Sequence, residues 1–194
     1  NNYNVEALYG GGGHPAGSTY KLFSLLNWME SGYSVNEILN GRAGTKNVDN
    51  CEGAIQPVEA GKRNGGVGNF ENNPGYNGSV KKFTIDSLNS GFFAMAERIS
   101  VCTTNRLAMK MGMTTGNGGA LDKNNFAYDV LGSQDVAPID LAGAYATVAA
   151  EGKYCTPKAI DKIVDANGEK HPLPESSCKQ VITEAVAHTA ADTL

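Results

Sequence analysis

The feature that most constrains the fold is an amphipathic helix that opens directly after a glycine-rich stretch and carries a hydroxyl and an amine at its start. The glycines lie within residues 10–17, and Ser18 and Lys21 follow them. Because residues three apart share one face of a helix, we expect the Lys21 amine to lie within hydrogen-bond reach of the Ser18 hydroxyl. A helix N-terminus also favours a developing oxyanion. The pattern therefore indicates a serine nucleophile activated by Lys21.

The context of this pair carries more weight than the bare pattern, since a Ser-x-x-Lys occurs about once by chance in a chain of this length. Apolar residues recur at helical spacing from Phe23 to Met29. They predict a helix over residues 18–31 that is buried over much of its circumference, with Gly32 as its left-handed end. The stem of Lys21 is then expected to be buried.

The next part of the chain offers fewer regular patterns. Ser34 is a good N-cap residue and predicts a second short helix that ends at about Leu39. Residues 40–79 are rich in Gly and Asn, and they predict a long loop without an extended regular element.

Helical patterns dominate the rest of the chain. Further helices are predicted over residues 80–90, 91–100, 104–112, 138–150 and from about Thr183 onward. A short strand is predicted over 158–165, followed by a hairpin turn at Asn167-Gly168. The fold class is therefore mainly α with little strand. Since the last helix reaches Leu194 without a cap, we expect the chain to be the helical centre of a larger domain.

Composition and charge exclude several classes of function. The chain has 194 residues and a net charge of −4, and its Lys and Arg residues form no basic stripe, which argues against a nucleic-acid partner. Its apolar stretches are interrupted by Asp140 or by Gly and Thr, so none is expected to span a membrane. The His residues lie far apart and no Cys-x-x-Cys occurs, so we expect neither a metal site nor a cofactor.

The cysteines indicate the compartment. They are Cys51, Cys102, Cys155 and Cys178. An even count without metal-ligand spacing is typical of two disulfides and an oxidising compartment. The alternative is a cytosolic protein with four free, buried thiols. Four cysteines permit three pairings. We favour Cys155 with Cys178, which bracket a polar stretch, and Cys51 with Cys102.

Ser87 and Asn89 form a second polar pair, at the junction of two predicted helices. On its own a Ser-x-Asn at such a junction is more often a cap than a catalytic element. The order of the two patterns is more specific. A Ser-x-x-Lys at a glycine turn, with a Ser-x-Asn at a helix junction further along, is the order found in the penicillin-recognising serine acyltransferases.

The wider sequence closely resembles the transpeptidase domain of class A penicillin-binding proteins. Residues 17–23 resemble the nucleophile helix of that family, and residues 86–92 resemble its second motif. Residues 136–146 and 151–157 are similar to the stretch that precedes its third motif. The cysteines around 155–178 resemble the actinobacterial branch.

The resemblance implies the helical part of the α+β serine transpeptidase or β-lactamase-like fold, with residues 1–194 as a single partial domain. The family's third motif, a Lys-Thr/Ser-Gly on a sheet strand, is absent from the sequence. Its nearest match, at residues 114–116, lacks the lysine and falls in a predicted loop. The central sheet is therefore expected to be largely missing, and the rest of the domain is an expected partner. By itself the chain should have negligible turnover.

The resemblance also implies a role for each site residue. Ser18 would attack a peptidoglycan stem peptide ending in D-Ala-D-Ala, and β-lactams would trap the acyl-enzyme. Lys21 would be the general base, Ser87 would relay the proton to the leaving amine, and Asn89 would bind Lys21 and the substrate amide. The parent protein would be membrane-anchored and would work at the extracytoplasmic face of the membrane, in the cell wall.

Three other functions fit parts of the sequence. A β-lactamase-like hydrolase shares Ser-x-x-Lys, but class A enzymes have Ser-Asp-Asn where position 88 is Leu here, and no acid in residues 90–130 resembles their deacylating Glu. A β-lactam-binding sensor would keep the serine and the lysine and acylate once. A non-catalytic cell-wall interaction module would not need Ser18.

Overall fold

The structure is a computed structural model of the chain. Gly10, in the predicted glycine-rich stretch, lies outside the residues that it describes. The described residues are 4–9, 11–51, 53–62, 65–123, 125–173 and 175–194.

Helices form the frame of the described part of the chain. A 3-10 turn at Gly17–Tyr20 leads into the first α-helix, and further 3-10 turns lie at Phe70–Asn72 and Ala127–Leu131. The α-helices are α1 (Lys21–Glu30), α2 (Val80–Ile85), α3 (Asn89–Met95), α4 (Val101–Lys110), α5 (Pro138–Ala149) and α6 (Glu184–Thr193).

Strands contribute only small antiparallel pairs among the described residues. They are β1 (His14–Pro15), β2 (Ile38–Asn40), β3 (Gly44–Asp49), β4 (Ile55–Ala60), β5 (Asn77–Ser79), β6 (Asp135–Val136), β7 (Lys153–Cys155), β8 (Ile163–Val164), β9 (Lys170–His171) and β10 (Cys178–Gln180). The pairs are β1–β6, β2–β5, β3–β4, β7–β10 and β8–β9. The predicted architecture, mainly α with little strand, is confirmed.

Helix α1 is the centre of the packing. Every residue from Lys21 to Trp28 is buried, as the sequence pattern predicted. One side of the helix, with Leu25 and Trp28, belongs to a core shared with α3 and the β3–β4 hairpin. The other side, with Phe23 and Leu26, belongs to a core shared with α4, α5 and α6. Since a fully buried large apolar side chain contributes about 1.5–3 kcal/mol, this helix fixes the elements around it.

The end of α1 also follows the sequence pattern. Gly32 has a φ of +84°. Its N–H donates to the Met29 carbonyl at 2.9 Å, and the Tyr33 N–H donates to the Trp28 carbonyl at 3.2 Å. These two bonds are the Schellman motif, in which a left-handed glycine satisfies the last carbonyls of a helix.

The start of the helix differs from the prediction. The α-helix begins at Lys21, and Ser18 lies on the preceding 3-10 turn. The turn is anchored from outside, because the Gly17 N–H donates to the Gly132 carbonyl at 3.0 Å. In a 3-10 turn residues three apart are eclipsed, so Ser18 and Lys21 still lie on one side.

The prediction of a long loop over residues 40–79 was wrong. This segment contains β3 and β4, which form a six-residue antiparallel hairpin. Lys46, Val48, Val58 and Ala60 are buried on one face of the hairpin, and the three apolar ones pack into the core around α3. The Gly and Asn content concealed this alternation, and the contact with α3 stabilises the strands.

The predicted helix from Ser34 to Leu39 was also wrong. Residues in its second half form β2, which pairs with β5. The backbone just before β2 also pairs with a later segment, because the Lys81 N–H donates to the Val35 carbonyl at 2.7 Å. A long-range backbone pairing therefore overrides the local N-cap signal of Ser34.

The helices later in the chain are present with adjusted bounds. The pattern over residues 80–100 resolves into α2 and α3, with a break between them at residues 86–88. Helix α5 begins at Pro138 as predicted, and Thr183 caps α6 by accepting a hydrogen bond from the Val186 N–H. The strand predicted over 158–165 shrinks to β8, since this hairpin is exposed and has no core to extend it.

Both favoured cysteine pairings are present. Cys155 and Cys178 lie directly opposite each other on β7 and β10, with a sequence separation of 23. Cys51, which follows β3, is joined to Cys102 on α4, with a sequence separation of 51. Among the described residues, no helix is long and apolar enough to cross a bilayer.

Loop length predicts the relative contribution of the two disulfides. Replacing Cys155 and Cys178 by Ser is expected to lower the free energy of unfolding by roughly 3 kcal/mol, and replacing Cys51 and Cys102 by about 4 kcal/mol, because the longer loop restricts the unfolded chain more. Urea unfolding of the two double variants at one pH measures the order. A larger loss from the Cys155–Cys178 pair would contradict this entropic account.

Candidate active site

The four residues that the sequence singled out come together at one place. Ser18 lies on the 3-10 turn before α1, Ser87 lies at the break between α2 and α3, and Asn89 is the first residue of α3. All three line one open cleft of about 520 Å³. Lys21 lies beneath them, with 4% of its surface exposed. The other residues that line the cleft are Gly68, Asn69, Phe70 and Asp86.

The Lys21 ammonium group is fully hydrogen-bonded. Its Nζ donates to the Asn89 Oδ1 at 2.6 Å, to the Ser87 carbonyl at 2.7 Å and to the Ser87 Oγ at 2.9 Å. An ammonium has three N–H donors, so these bonds use all of them. The two polar motifs, far apart in sequence, are thus joined through a single nitrogen.

Burial weakens the hold of Lys21 on its proton. Removal from water disfavours the charged form and lowers the pKa of Lys21 to about 8. All three acceptors are neutral, so no carboxylate opposes this effect through these bonds. The Nζ also lies 5.2 Å from the centre of the buried Phe92 ring. A lysine with this pKa is a usable base near neutral pH.

The hydrogen bond predicted between Ser18 and Lys21 is not formed. The Ser18 side chain is exposed, and it makes no hydrogen bond with the described residues. The physical reason is competition, since Ser87 and Asn89 already accept from the lysine. Ser18 therefore faces the cleft with a free hydroxyl, on the turn that leads directly into Lys21.

Ser87 has an unusual backbone. Its φ of +48° lies in the left-handed region, which costs a non-glycine residue roughly 1–2 kcal/mol. This conformation turns both its carbonyl and its hydroxyl toward the Lys21 amine. Strain of this kind persists only where the surroundings fix it, and it is frequent at functional sites.

Asn89 is held in one orientation by its other contact. Its Nδ2 donates to the Gly68 carbonyl at 2.7 Å. The amide oxygen must therefore face Lys21, since the nitrogen is engaged on the opposite side. The break between α2 and α3 presents this side chain at the first turn of α3, next to the cleft.

Sequence reasoning missed Asn69 and Ser90, which support the site from behind. Both are buried. The Ser90 N–H donates to the Asn69 Oδ1 at 2.9 Å, the Asn69 Nδ2 donates to the Ser90 Oγ at 2.9 Å, and that hydroxyl donates to the Gly41 carbonyl at 2.6 Å. Only the polar character of Ser90, next to Asn89, was a sequence signal, and it does not reveal a partner in a distant loop.

A second buried network, also missed, supports the turn that carries Ser18. The Tyr20 hydroxyl donates to the Asn105 Oδ1 at 2.8 Å, and the Asn105 amide lies 3.3 Å from the Asp129 carboxylate. Burial, and secondly the charge of Asp129, raise the pKa of Tyr20, so this hydroxyl stays a neutral donor. Asp129 further accepts from Ser133 and from Gln134. This network fixes Tyr20, one of the two residues between Ser18 and Lys21.

Asp86 is the only carboxylate among the described residues that line the cleft. It is already paired, because Lys82 donates to both of its oxygens and the Tyr76 hydroxyl donates to one of them. The Lys82 ammonium, and then the Tyr76 hydroxyl, hold the pKa of Asp86 below its usual value. Such a group is a poor general base near neutral pH.

The remaining candidates lie elsewhere. Thr114 donates toward Glu6 and Asp140, and neither it nor the following Thr-Gly lines the cleft. Among the residues that the structure describes, no group of His, Cys, Asp or Glu could hold a metal ion.

Comparison with known proteins gives a family match. The sequence model of the family described as the penicillin-binding protein transpeptidase domain matches residues 12–194. Penicillin-binding protein 1A of Aquifex aeolicus (strain VF5) is 31% identical over 108 residues, which are 53% of this chain and 15% of that protein.

Solved structures show the same fold. The PonA1 protein of Mycobacterium tuberculosis in complex with penicillin V matches with a TM-score of 0.71 at 23% identity, over 93% of this chain and 46% of that chain. The imipenem acyl-enzyme complex of penicillin-binding protein A of M. tuberculosis matches with a TM-score of 0.74 at 17% identity, over 100% of this chain and 44% of that chain. The chain therefore spans less than half of each of these two structures.

The lowered pKa of Lys21 predicts a pH dependence of stability. In the unfolded chain this lysine holds its proton up to its ordinary pKa of about 10.5, whereas the folded chain releases it at about 8. Between these values the unfolded state binds more protons, so the stability rises with pH, by roughly 2–3 kcal/mol from pH 7 to pH 10. Urea unfolding of the chain and of Lys21→Met at both pH values isolates this effect. The variant should lack the rise, and an equal rise in both proteins would contradict the assignment.

Proposed function

The chain belongs to the penicillin-binding protein transpeptidase family, and on that basis we propose that it is part of a D,D-transpeptidase that cross-links peptidoglycan through a serine acyl-enzyme. The observation that carries the proposal is the buried Lys21 amine, which is joined to Ser87 and Asn89 beneath a cleft that exposes Ser18. We further propose that residues 1–194 are one partial domain of a longer, membrane-anchored protein that works outside the cytoplasm. The two disulfides support an oxidising compartment.

In the proposed acylation, the Ser18 Oγ attacks the carbonyl carbon of the penultimate D-Ala of a stem peptide. Neutral Lys21 accepts the serine proton on its lone pair, which becomes free because the amine then has only two N–H groups to donate. The Lys21 ammonium then gives a proton to the Ser87 oxygen as the Ser87 hydroxyl gives its own proton to the leaving nitrogen of the terminal D-Ala, so that both groups return to their starting states. The peptide bond breaks, and an ester to Ser18 remains.

The negative charge on the carbonyl oxygen needs donors. The Ser18 N–H lies in the first turn of its helix, where N–H groups have no partner within the helix. The Asn89 amide lies beside the cleft and would bind the substrate amide. In the second step an amine of a neighbouring stem peptide attacks the ester carbonyl and forms the new peptide bond. Lys21 takes a proton from that amine and returns it to the Ser18 oxygen as the ester bond breaks. β-Lactams, which mimic D-Ala-D-Ala, would stop the reaction at the ester.

The family's Lys-Thr/Ser-Gly strand would supply the second oxyanion donor and a nearby positive charge, and the sequence lacks this motif. We propose that the rest of the transpeptidase domain, with its central sheet, is the partner of this chain. The open face of α5 is consistent with such a layer. An apolar groove of about 360 Å³ runs along that face and is lined by Ile139, Ala142 and Ala146, among others.

A hydrolytic β-lactamase is the less favoured function. Deacylation by water in class A enzymes needs a carboxylate base next to the ester. Asp86 is the only carboxylate that lines the cleft among the described residues, and Lys82 and Tyr76 already pair with it. Glu97 accepts a hydrogen bond from the Asn47 N–H at the β3–β4 hairpin instead. Long-lived acylation therefore fits this site better than turnover of β-lactams.

The first test of the proposal is covalent labelling by a fluorescent penicillin in the longer protein. Ser18→Ala is expected to abolish labelling, because the ester forms on that oxygen. Ser24→Ala is the matched control, since Ser24 lies on α1, directly after the turn that carries Ser18, and its buried hydroxyl has no hydrogen-bond partner in the described part of the chain. Labelling that persists in Ser18→Ala would refute the nucleophile.

The isolated chain tests the need for the third motif. The chain of 194 residues is expected to be labelled about 10²–10³-fold more slowly than the longer protein, because one oxyanion donor is missing. Gel fluorescence against time gives both rates. Equal rates would contradict the proposed contribution of the missing strand.

The pH profile of acylation tests the base. With a Lys21 pKa of about 8, only about one tenth of the amine is neutral at pH 7. The acylation rate in the longer protein should therefore rise with pH and level off above the pKa of Lys21. This apparent pKa is expected at about 8, and below that value if the rest of the domain places a positive charge near the amine. Stopped-flow measurement of the acylation rate from about pH 5.5 to about pH 9.5, in steps of about 0.5 pH units, gives this apparent pKa. A rate that falls as pH rises through this range would exclude Lys21 as the base.

A further inference from the structure

The Lys21 amine has a further neighbour besides its hydrogen-bond acceptors. Its three N–H groups are taken up by Ser87 and Asn89. The Nζ also lies over the ring of Phe92, 5.2 Å from the ring centre. A cation within about 6 Å of an aromatic ring centre is attracted by the negative face of the ring. The ring therefore interacts with charge on this nitrogen, which an aliphatic side chain at the same place would not do.

Helix α3 brings the ring to this position. Asn89 is the first residue of α3 and Phe92 follows three positions later, so both side chains lie on one face of the helix. The amide oxygen and the aromatic ring thus reach the amine from the same element. The Phe92 side chain is fully buried and belongs to the core that α1 shares with α3. Close packing therefore keeps the ring against the amine.

No carboxylate hydrogen-bonds the Lys21 amine among the described residues. Helix α3 carries no charged residue, and Glu30 lies at the far end of α1. Asp86 is paired with Lys82, and Asp129 is enclosed by the amide and hydroxyl groups that bind it. Burial lowers the pKa of Lys21 without a contribution from a neighbouring charge. The ring face therefore stabilises the charged form without a counter-ion.

The charge on Lys21 changes during the proposed acylation. The neutral amine takes the proton of the Ser18 hydroxyl while the Oγ bonds to the carbonyl carbon, so positive charge develops on the nitrogen in the transition state. Interactions that strengthen only as the reaction proceeds lower its barrier. An ammonium gains more from the ring face than a neutral amine does. In this buried site, little water screens the gain.

We propose that Phe92 is a positioning residue whose ring face stabilises the ammonium that Lys21 forms when it takes the Ser18 proton. Phe92 acts through the lysine, since it does not line the cleft in which the substrate would lie. The inference rests on the proposed function, because it states how the base of that reaction is assisted. A ring of similar shape with a less negative face should therefore make Lys21 a weaker base.

The first experiment measures the proton affinity of Lys21 without catalysis. Fluorine withdraws electrons from a ring face and changes the ring size little, so mono-, di- and trifluorinated phenylalanine replace Phe92 in the chain. The lysines carry ¹³C, and NMR follows the Lys21 signal from about pH 6 to about pH 11. Its loss in Lys21→Met assigns it. We expect the pKa of Lys21 to fall with each fluorine, by roughly 0.5–1 unit for the trifluorinated ring.

The same replacements at Phe93 are the matched control. Phe93 follows Phe92 on α3 and is also fully buried, but its ring meets the edge of the Tyr128 ring at 6.4 Å. Fluorination there should leave the pKa of Lys21 unchanged. The monofluorinated ring, which is closest in size to the natural one, decides the direction if the larger rings disturb the packing. A pKa that stays constant or rises with fluorination at Phe92, or falls equally with fluorination at Phe93, overturns the inference.

The second experiment measures the rate of acylation by a fluorescent penicillin in the longer protein. With the trifluorinated ring in place of Phe92, the limiting rate at high pH is expected to fall by roughly twofold to tenfold, because the developing ammonium loses the ring face. The apparent pKa of the pH profile should fall with it. A structural disturbance would lower the rate without moving this pKa. That result, or an unchanged limiting rate, would overturn the role of Phe92.

The two experiments separate this inference from the proposed function. A pKa of Lys21 that does not respond to fluorination, in a protein whose Ser18 is labelled by penicillin, overturns the role of Phe92 and leaves acyl transfer standing. A pKa that falls with fluorination, in a protein whose Ser18 is never labelled, supports the contact between ring and ammonium and refutes the nucleophile.

Discussion

The site depends on one interaction, the burial of the Lys21 amine against three neutral acceptors. Burial alone would make the ammonium very costly, and a carboxylate partner would hold its proton firmly. Two oxygens from Ser87 and one from Asn89 avoid both extremes. They satisfy the three N–H groups of the buried ammonium, and they add no negative charge that would hold its proton. The pKa of Lys21 therefore falls to about 8, where both protonation states are accessible near neutral pH.

This arrangement explains the strained and buried polar groups around it. Ser87 adopts a left-handed backbone that directs both of its oxygens to one nitrogen. Asn89 is oriented by Gly68, and the paired Asn69 and Ser90 attach the adjoining loop to α3. The Tyr20, Asn105 and Asp129 network supports the turn before Lys21 in the same way. Polar contacts in a poorly hydrated interior are strong only when complete, and these networks hold the site rigid.

Much of the helical frame could be predicted because its signals are local. The Schellman end at Gly32, the proline start of α5 and the Thr183 cap each depend on a few adjacent residues. The β3–β4 hairpin and strand β2 could not be predicted, because they are stabilised by partners distant in sequence. For the candidate site, the sequence supplied Ser18, Lys21, Ser87 and Asn89, whereas the supporting residues Asn69 and Asn105 carried no pattern of their own.

The sequence by itself determined the identity of the polar motifs, their order and the helices that carry or flank them, since spacing and capping act over a few residues. The tertiary structure decided which atoms meet. It gave the three donors of Lys21 to Ser87 and Asn89, left Ser18 free at the cleft, and placed Phe70 beside it. These outcomes depend on the packing of α1 against α3 and on a loop anchored across the chain, and no local pattern encodes such distances.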